Sequence, residues 1–94
     1  MIEIPLQPIP SQRLSIVLAG QTVQIALYQK AQGLFADVEV NGVDVTTGVI
    51  CRDKLRLVRS DYVSFVGTLY FVDTQGSDDP HYSGLGARWG LVYE

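Results

Sequence analysis

An all-β domain is the fold class that this sequence predicts, a small antiparallel β-barrel or sandwich of six to eight short strands with an extended, proline-containing arm at its N-terminus. Three observations carry that prediction. Apolar residues recur at every second position in one run after another. Turn-forming residues separate the runs at intervals of about ten residues. No window sustains an apolar stripe at helical spacing. Strand number alone does not separate a barrel from a sandwich.

The opening MIEIPLQPIPSQ places prolines at positions 5, 8 and 10. Proline has no amide hydrogen and a fixed φ, so this stretch cannot be a central strand. It reads as an extended arm over residues 1–10, a polyproline-like or edge segment lying on a surface, with 1–94 forming a single domain. Ile2, Ile4 and Leu6 alternate along it and turn one apolar side inward. The arm either straps the domain's own sheet or reaches a neighbouring subunit. On the second reading Ile4, Pro5, Leu6 and Pro8 are partner contacts.

Residues 11–19 alternate, with Leu14, Ile16 and Leu18 set against Ser15, Val17 and Ala19. Gly20-Gln21 turns the chain, and residues 22–30 alternate again with Val23, Ile25 and Leu27 on one side, so the pair reads as a β-hairpin. After a turn at residues 31–33, Leu34, Ala36, Val38 and Val40 share one face, and Phe35, Asp37 and Glu39 the other. Asn41-Gly42 is a strong hairpin signal, because both residues tolerate the positive φ of a type I′ turn. Residues 43–51 return as a strand rich in Val and Thr. Tyr28 and Phe35 are expected on opposite faces, packing outward against another chain or an added loop.

The segment RDKLRLVR, residues 52–59, is expected to continue extended, with Leu55 and Leu57 on one side and Lys54 and Arg56 on the other. Ser60-Asp61 reads as a loop and residues 62–66 as a short strand. TLYFVD, residues 68–73, is a compact aromatic strand, followed by a polar loop over 74–79. In the closing DPHYSGLGARWGLVYE, Asp79 accepts local amide bonds and Pro80 presets φ. Tyr82 and Leu85 then turn back to the core in a single helical turn, and Gly86 releases the chain into a last strand over 88–93. Asp79, Pro80, Tyr82 and Gly86 are thus a fold-determining turn.

Composition bounds the function. The 94 residues are 47% hydrophobic and only 18% charged, which argues against disorder and hints that partners cover part of the surface. The net charge of −3 disfavours a nucleic-acid binder, which needs a basic face to displace counterions. A single cysteine, Cys51, excludes an internal disulfide and a cysteine-based zinc cluster, and it reads as a small buried hydrophobe. No charged-then-apolar leader and no apolar run of about eighteen residues is seen, so neither a signal peptide nor a membrane span is expected.

No catalytic set is expected. His81, beside Asp78 and Asp79, matches no ligand or base spacing and reads as a solvated loop residue. Gly84, Gly86 and Gly90 precede a strand, whereas a phosphate-cradling loop precedes a helix. The basic run of Arg52, Lys54, Arg56 and Arg59 holds four of the seven cations. It either guards an edge strand or grips an acidic partner through Lys54 and Arg56. The latter would make the chain a small β-barrel binding module using residues 52–59 to hold an acidic ligand.

The whole chain resembles the baseplate plug protein family of contractile-tailed bacteriophages, of the cyanophage type. The likeness lies in IPLQPIPSQRLSIVLAGQ at the start, residues 48–57 in the centre, the GTLYFVDT run, and the pattern D-P-x-Y-x-x-L-G followed by LVY. In this sequence that pattern falls on Asp79, Pro80, Tyr82, Leu85, Gly86, Leu91, Val92 and Tyr93. One departure is RDKLRLVR, more charged than the family's centre is expected to be. The resemblance implies a structural virion or prophage component without enzymatic turnover or cofactors. It would sit in several copies in the tail baseplate near the tube and hub, after synthesis in the host bacterial cytoplasm. Its partners would be other baseplate, hub and tail-tube proteins and further copies of itself, with neither nucleic acid nor membrane.

Overall fold

The computed structural model describes residues 2–58 and 67–94, and among these seven strands form two antiparallel sheets. They are β1 (Ile2–Ile4), β2 (Ser11–Leu18), β3 (Gln21–Lys30), β4 (Gly33–Val40), β5 (Val43–Ile50), β6 (Leu69–Asp73) and β7 (Trp89–Tyr93). One sheet runs β2-β3-β4-β5 and the other β1-β7-β6. The sheets do not close on one another, so the architecture is open and not a barrel.

The first sheet is a meander set by two tight turns. Ala19-Gly20 joins β2 to β3 with φ values of 51° and 77°, and Asn41-Gly42 joins β4 to β5 with 51° and 84°. Positive φ at both central residues is the type I′ geometry whose twist matches paired strands. The first turn lies one residue earlier than Gly20-Gln21, and Ala19 takes a conformation usually left to Gly or Asn. Asn41 also ties the turns together, since its amide donates to Thr22 O at 2.8 Å and its side-chain Oδ1 accepts from Thr22 N at 3.0 Å.

Period-two alternation decides which residues enter the core. Val23, Ile25 and Leu27 from β3 and Leu34, Ala36, Val38 and Val40 from β4 are buried, packed with Ile4, Leu69, Phe71, Leu91 and Tyr93 of the other sheet. Tyr28 and Phe35 are directly paired across β3 and β4 and so share one face, against the expectation of opposite faces. Their rings stack at 6.1 Å, and Lys30 Nζ lies 5.3 Å and 5.4 Å from the two centroids.

Residues 51–58 depart from the extended segment expected there. Lys54 takes a φ of 61°, and the segment pairs with β6 through isolated bridges, Asp53 to Phe71 and Arg56 to Tyr70, and not as a continuous strand. A turn at Lys54, closed by Leu55 N donating to Arg52 O at 3.3 Å, breaks the two-residue period: Leu57 is buried and Leu55 is swung out to 46% exposure. The loop and strand expected over residues 60–66, and Arg59, lie outside the described residues.

Candidate partner-contact surface

The closing segment is held by a buried carboxylate. Asp73 ends β6 at the same parity as Leu69 and Phe71, so its side chain points into the protein. Arg88 meets it in a bidentate pair, Nε to Oδ1 at 2.9 Å and Nη2 to Oδ2 at 2.8 Å. The amides of Gln75 and Asp78 donate to the remaining lone pairs, each at 2.9 Å. These hydrogen bonds, Arg88 foremost, hold the Asp73 carboxyl far below the usual carboxylate range against the opposing effect of burial. Arg88 also pairs with Asp78 at 2.8 Å and lies 4.6 Å from the Trp89 ring, whose indole N–H donates to Asp78 O at 3.1 Å.

The four turn residues surround this centre. Pro80 is buried, and Tyr82 opens a single 3₁₀ turn (Tyr82–Gly84) and packs on the core. His81, not Asp79, caps that turn, its ring accepting from Ser83 N. Asp79 makes its bonds far along the chain, accepting from Asp53 N at 3.2 Å and pairing with Arg52 at 3.5 Å. The expected local amide bonds give way because Asp53, held by the amide of Asp73 at 2.8 Å, presents its own N–H to Asp79. Gly86 has a φ of 80° and lies against the backbone carbonyl of Leu6, leaving no room for a side chain.

The arm divides into two parts. Ile2–Ile4 pairs with β7, and Ile4 sits in the chain's own core at 2% exposure. Leu6 packs partly against that core, while Pro5, Pro8 and Pro10 are exposed and Ile9 is 40% exposed. Here the chain crosses from one sheet to the other. Gln12 secures the crossing, its side chain accepting from Gln7 N at 3.2 Å and donating to Gln7 O at 2.7 Å. Lys54 and Arg56 lie elsewhere, both exposed on the 51–58 bend and without an ion pair among the described residues.

Two residues with reactive side chains are accounted for otherwise. Burial pushes the Cys51 thiol up to about 12, which keeps it protonated. The His81 ring is engaged with Ser83 Oγ at 2.9 Å. A shallow trough of about 220 Å³ crosses the outer face of the larger sheet between Arg13, Gln24, Ala26, Asp37, Glu39 and Asp44. Asp37 is already committed there, accepting from Tyr28 Oη at 2.9 Å and Gly48 N at 2.6 Å. What the described surface offers is thus strand edge, exposed arm and a basic bend.

A family profile described as cyanophage baseplate Pam3 plug gp18 matches residues 1–94, the whole length of the chain. The chain belongs to this baseplate plug family. No curated protein matches it. A baseplate plug is a structural component of a phage tail and associates with other baseplate proteins. Within that role, the Asp73–Arg88 centre is the feature that sequence reasoning missed. Its signal was present: an aspartate at an inward-facing position of an apolar strand calls for a cation or hydrogen-bond donors, and Arg88 immediately precedes the strand that pairs with it.

Proposed function

We propose that this chain is a non-enzymatic plug that bridges or seals the centre of the tail baseplate, near the tube and hub, purely through protein–protein contacts. The full-length family match carries this reading. The geometry supports a contact role, because the Asp73 carboxylate of the closing segment is taken up by Arg88 and two backbone amides and so serves the fold. Partners are hub and tube proteins and further copies of the chain, with contacts between copies heterologous if the copies form a ring. Pro5, Leu6 and Pro8 contribute from the crossing, and Lys54 and Arg56 meet an acidic neighbour. Ile4 contributes indirectly, by anchoring the arm. The site of action is the virion tail, after synthesis in the host bacterial cytoplasm.

Deleting the gene and analysing purified tails tests the proposal. The expected result is that wild-type tails contain the chain in fixed ratio to the hub and that deleted phage lack intact baseplates. Intact, infectious tails without the chain would overturn it. The free protein should sediment as a monomer or a weak associate.

A further inference from the structure

The hydrogen-bonding direction of β2 follows from two contacts. Leu18 and Gln21 close the two-residue turn as a hydrogen-bonded pair. Eight residues back, Pro10 O accepts from Gln29 N at 2.8 Å in the same register. The even-numbered residues of β2 therefore bond to β3. The N–H and C=O groups of Ser11, Arg13, Ser15 and Val17 point to the other side, where no strand lies among the described residues.

The other three outer edges are guarded in ways that proteins use to block strand addition. β1 has three residues and is followed at once by Pro5. β5 is irregular, with register shifts opposite Ala36, Val38 and Glu39 and a φ of 66° at Gly48. β6 is flanked by the 51–58 bend, which donates Lys54 N to Phe71 O and Leu57 N to Leu69 O, each at 2.8 Å. β2 is the least guarded: its register with β3 is unbroken from Ser11 to Leu18, Pro10 lies before the strand and not within it, and Arg13 is its one charged residue. Its inward row is also unfinished. Leu14 and Ile16 are only partly buried, whereas Val23 and Ile25 on the adjacent strand are at 0% exposure; on the outward row, Val17 stands 67% exposed.

We propose that the β2 edge is a strand-addition site for an extended segment of a different baseplate protein, with apolar residues at alternate positions and a carboxylate opposite Arg13. This rests on the reading of the chain as an assembly component. Backbone pairing supplies affinity in such docking, and alternate side chains supply selectivity. A second copy fits poorly. Among the described residues the only edge on it long and regular enough is β2 itself, which carries no carboxylate and a second Arg13. Arg13 makes no ion pair with any described residue. Its direct cross-strand neighbour is Ala26, and Asp37 lies a further strand away, about 10 Å across the sheet. A carboxylate on an added strand would sit about 5 Å from it.

Two variants at the edge test this, read by mass-spectrometric quantitation of the chain in tails purified after complementing the deletion. Ser15→Pro removes an N–H that bonds no described residue, and Val17→Lys adds a further charged guard to the edge. Both should fold, and each should lower incorporation about tenfold, the effect of 1.4 kcal/mol on binding. Wild-type incorporation by folded variants would overturn the docking alone. If Ser15→Pro fails to fold, Val17→Lys decides by the same criterion. Absence of the wild-type chain from purified tails would overturn the plug reading and the docking with it. A concentration-dependent dimer of the free protein, abolished by either variant, would give the edge to a second copy and overturn the assignment to a different protein.

Discussion

The closing segment and the β2 side of the molecule treat their polar groups in opposite ways. Around Asp73, the strong donors are taken up inside the protein: Arg88 and two amides close on the Asp73 carboxylate, and the indole of Trp89 on the Asp78 carbonyl. Along β2 and the 5–10 crossing, backbone groups and apolar side chains face outward. The first region holds the two ends of the chain together, with β1 and β6 on either side of β7. The second offers what remains to something else. Residues that look functional in a sequence, an Asp-Pro turn beside a histidine, serve the fold here, and a plain Ser/Leu/Ile strand is the better candidate for contact.

The sharpest way to break this contrast is to damage the anchored region. Trp89→Ala removes a ring that is 7% exposed and packs under Arg88, and should cost about 3–5 kcal/mol in denaturant unfolding. A loss near zero would mean that the segment is not an anchor. Gly84→Ala comes next. A Cβ there would run into the Trp89 ring, and the overpacking should cost about 1–3 kcal/mol by the same measurement.

Acid titration sharpens the contrast further. The native pKa of Asp73 is depressed, so its stabilising contribution is complete above the unfolded value of about 3.9 and is lost as pH falls from there toward the native value. Asp73→Asn should therefore lower stability at neutral pH and flatten its decline below pH 4. An unchanged acid limb would show that the Arg88 pair does not govern it. Cys51 should resist a thiol reagent in the folded protein and react only on unfolding, as expected of a buried thiol pushed up to about 12. The smallest expected effect is in the exposed crossing. Pro8→Ala should change the stability of the free protein by less than about 0.5 kcal/mol, because Pro8 touches water, while lowering its incorporation into tails.

Strands β2 to β5 were legible in the sequence because a half-buried strand writes its own period, and Asn41-Gly42 fixed one turn without further information. Other features depend on residues far apart in the chain and left only faint local signals. RDKLRLVR shows a two-residue period, yet tertiary bonds from Asp53 to Asp73 and Asp79 bend it at Lys54 and send Leu55 out while Leu57 goes in. The prolines correctly placed residues 5–10 on the surface. The alternation of Ile2, Ile4 and Leu6 turned one side of the arm inward, and Ile4 does enter the core while Ile2 stays 48% exposed, but nothing local showed that Ile4 pairs with Leu91 at the other end of the chain. The exposed edge of β2 was hidden for a different reason. Alternation reveals which way side chains point, but an edge is defined by which neighbour is missing.

Hydrogen exchange on the free protein and on the same chain in assembled baseplates compares the two regions most directly. The account predicts that residues 5–18 gain protection on assembly while residues 69–93 are already protected in the free protein and change little. Equal exchange of residues 5–18 in both states, or protection gained mainly over 69–93, would contradict it.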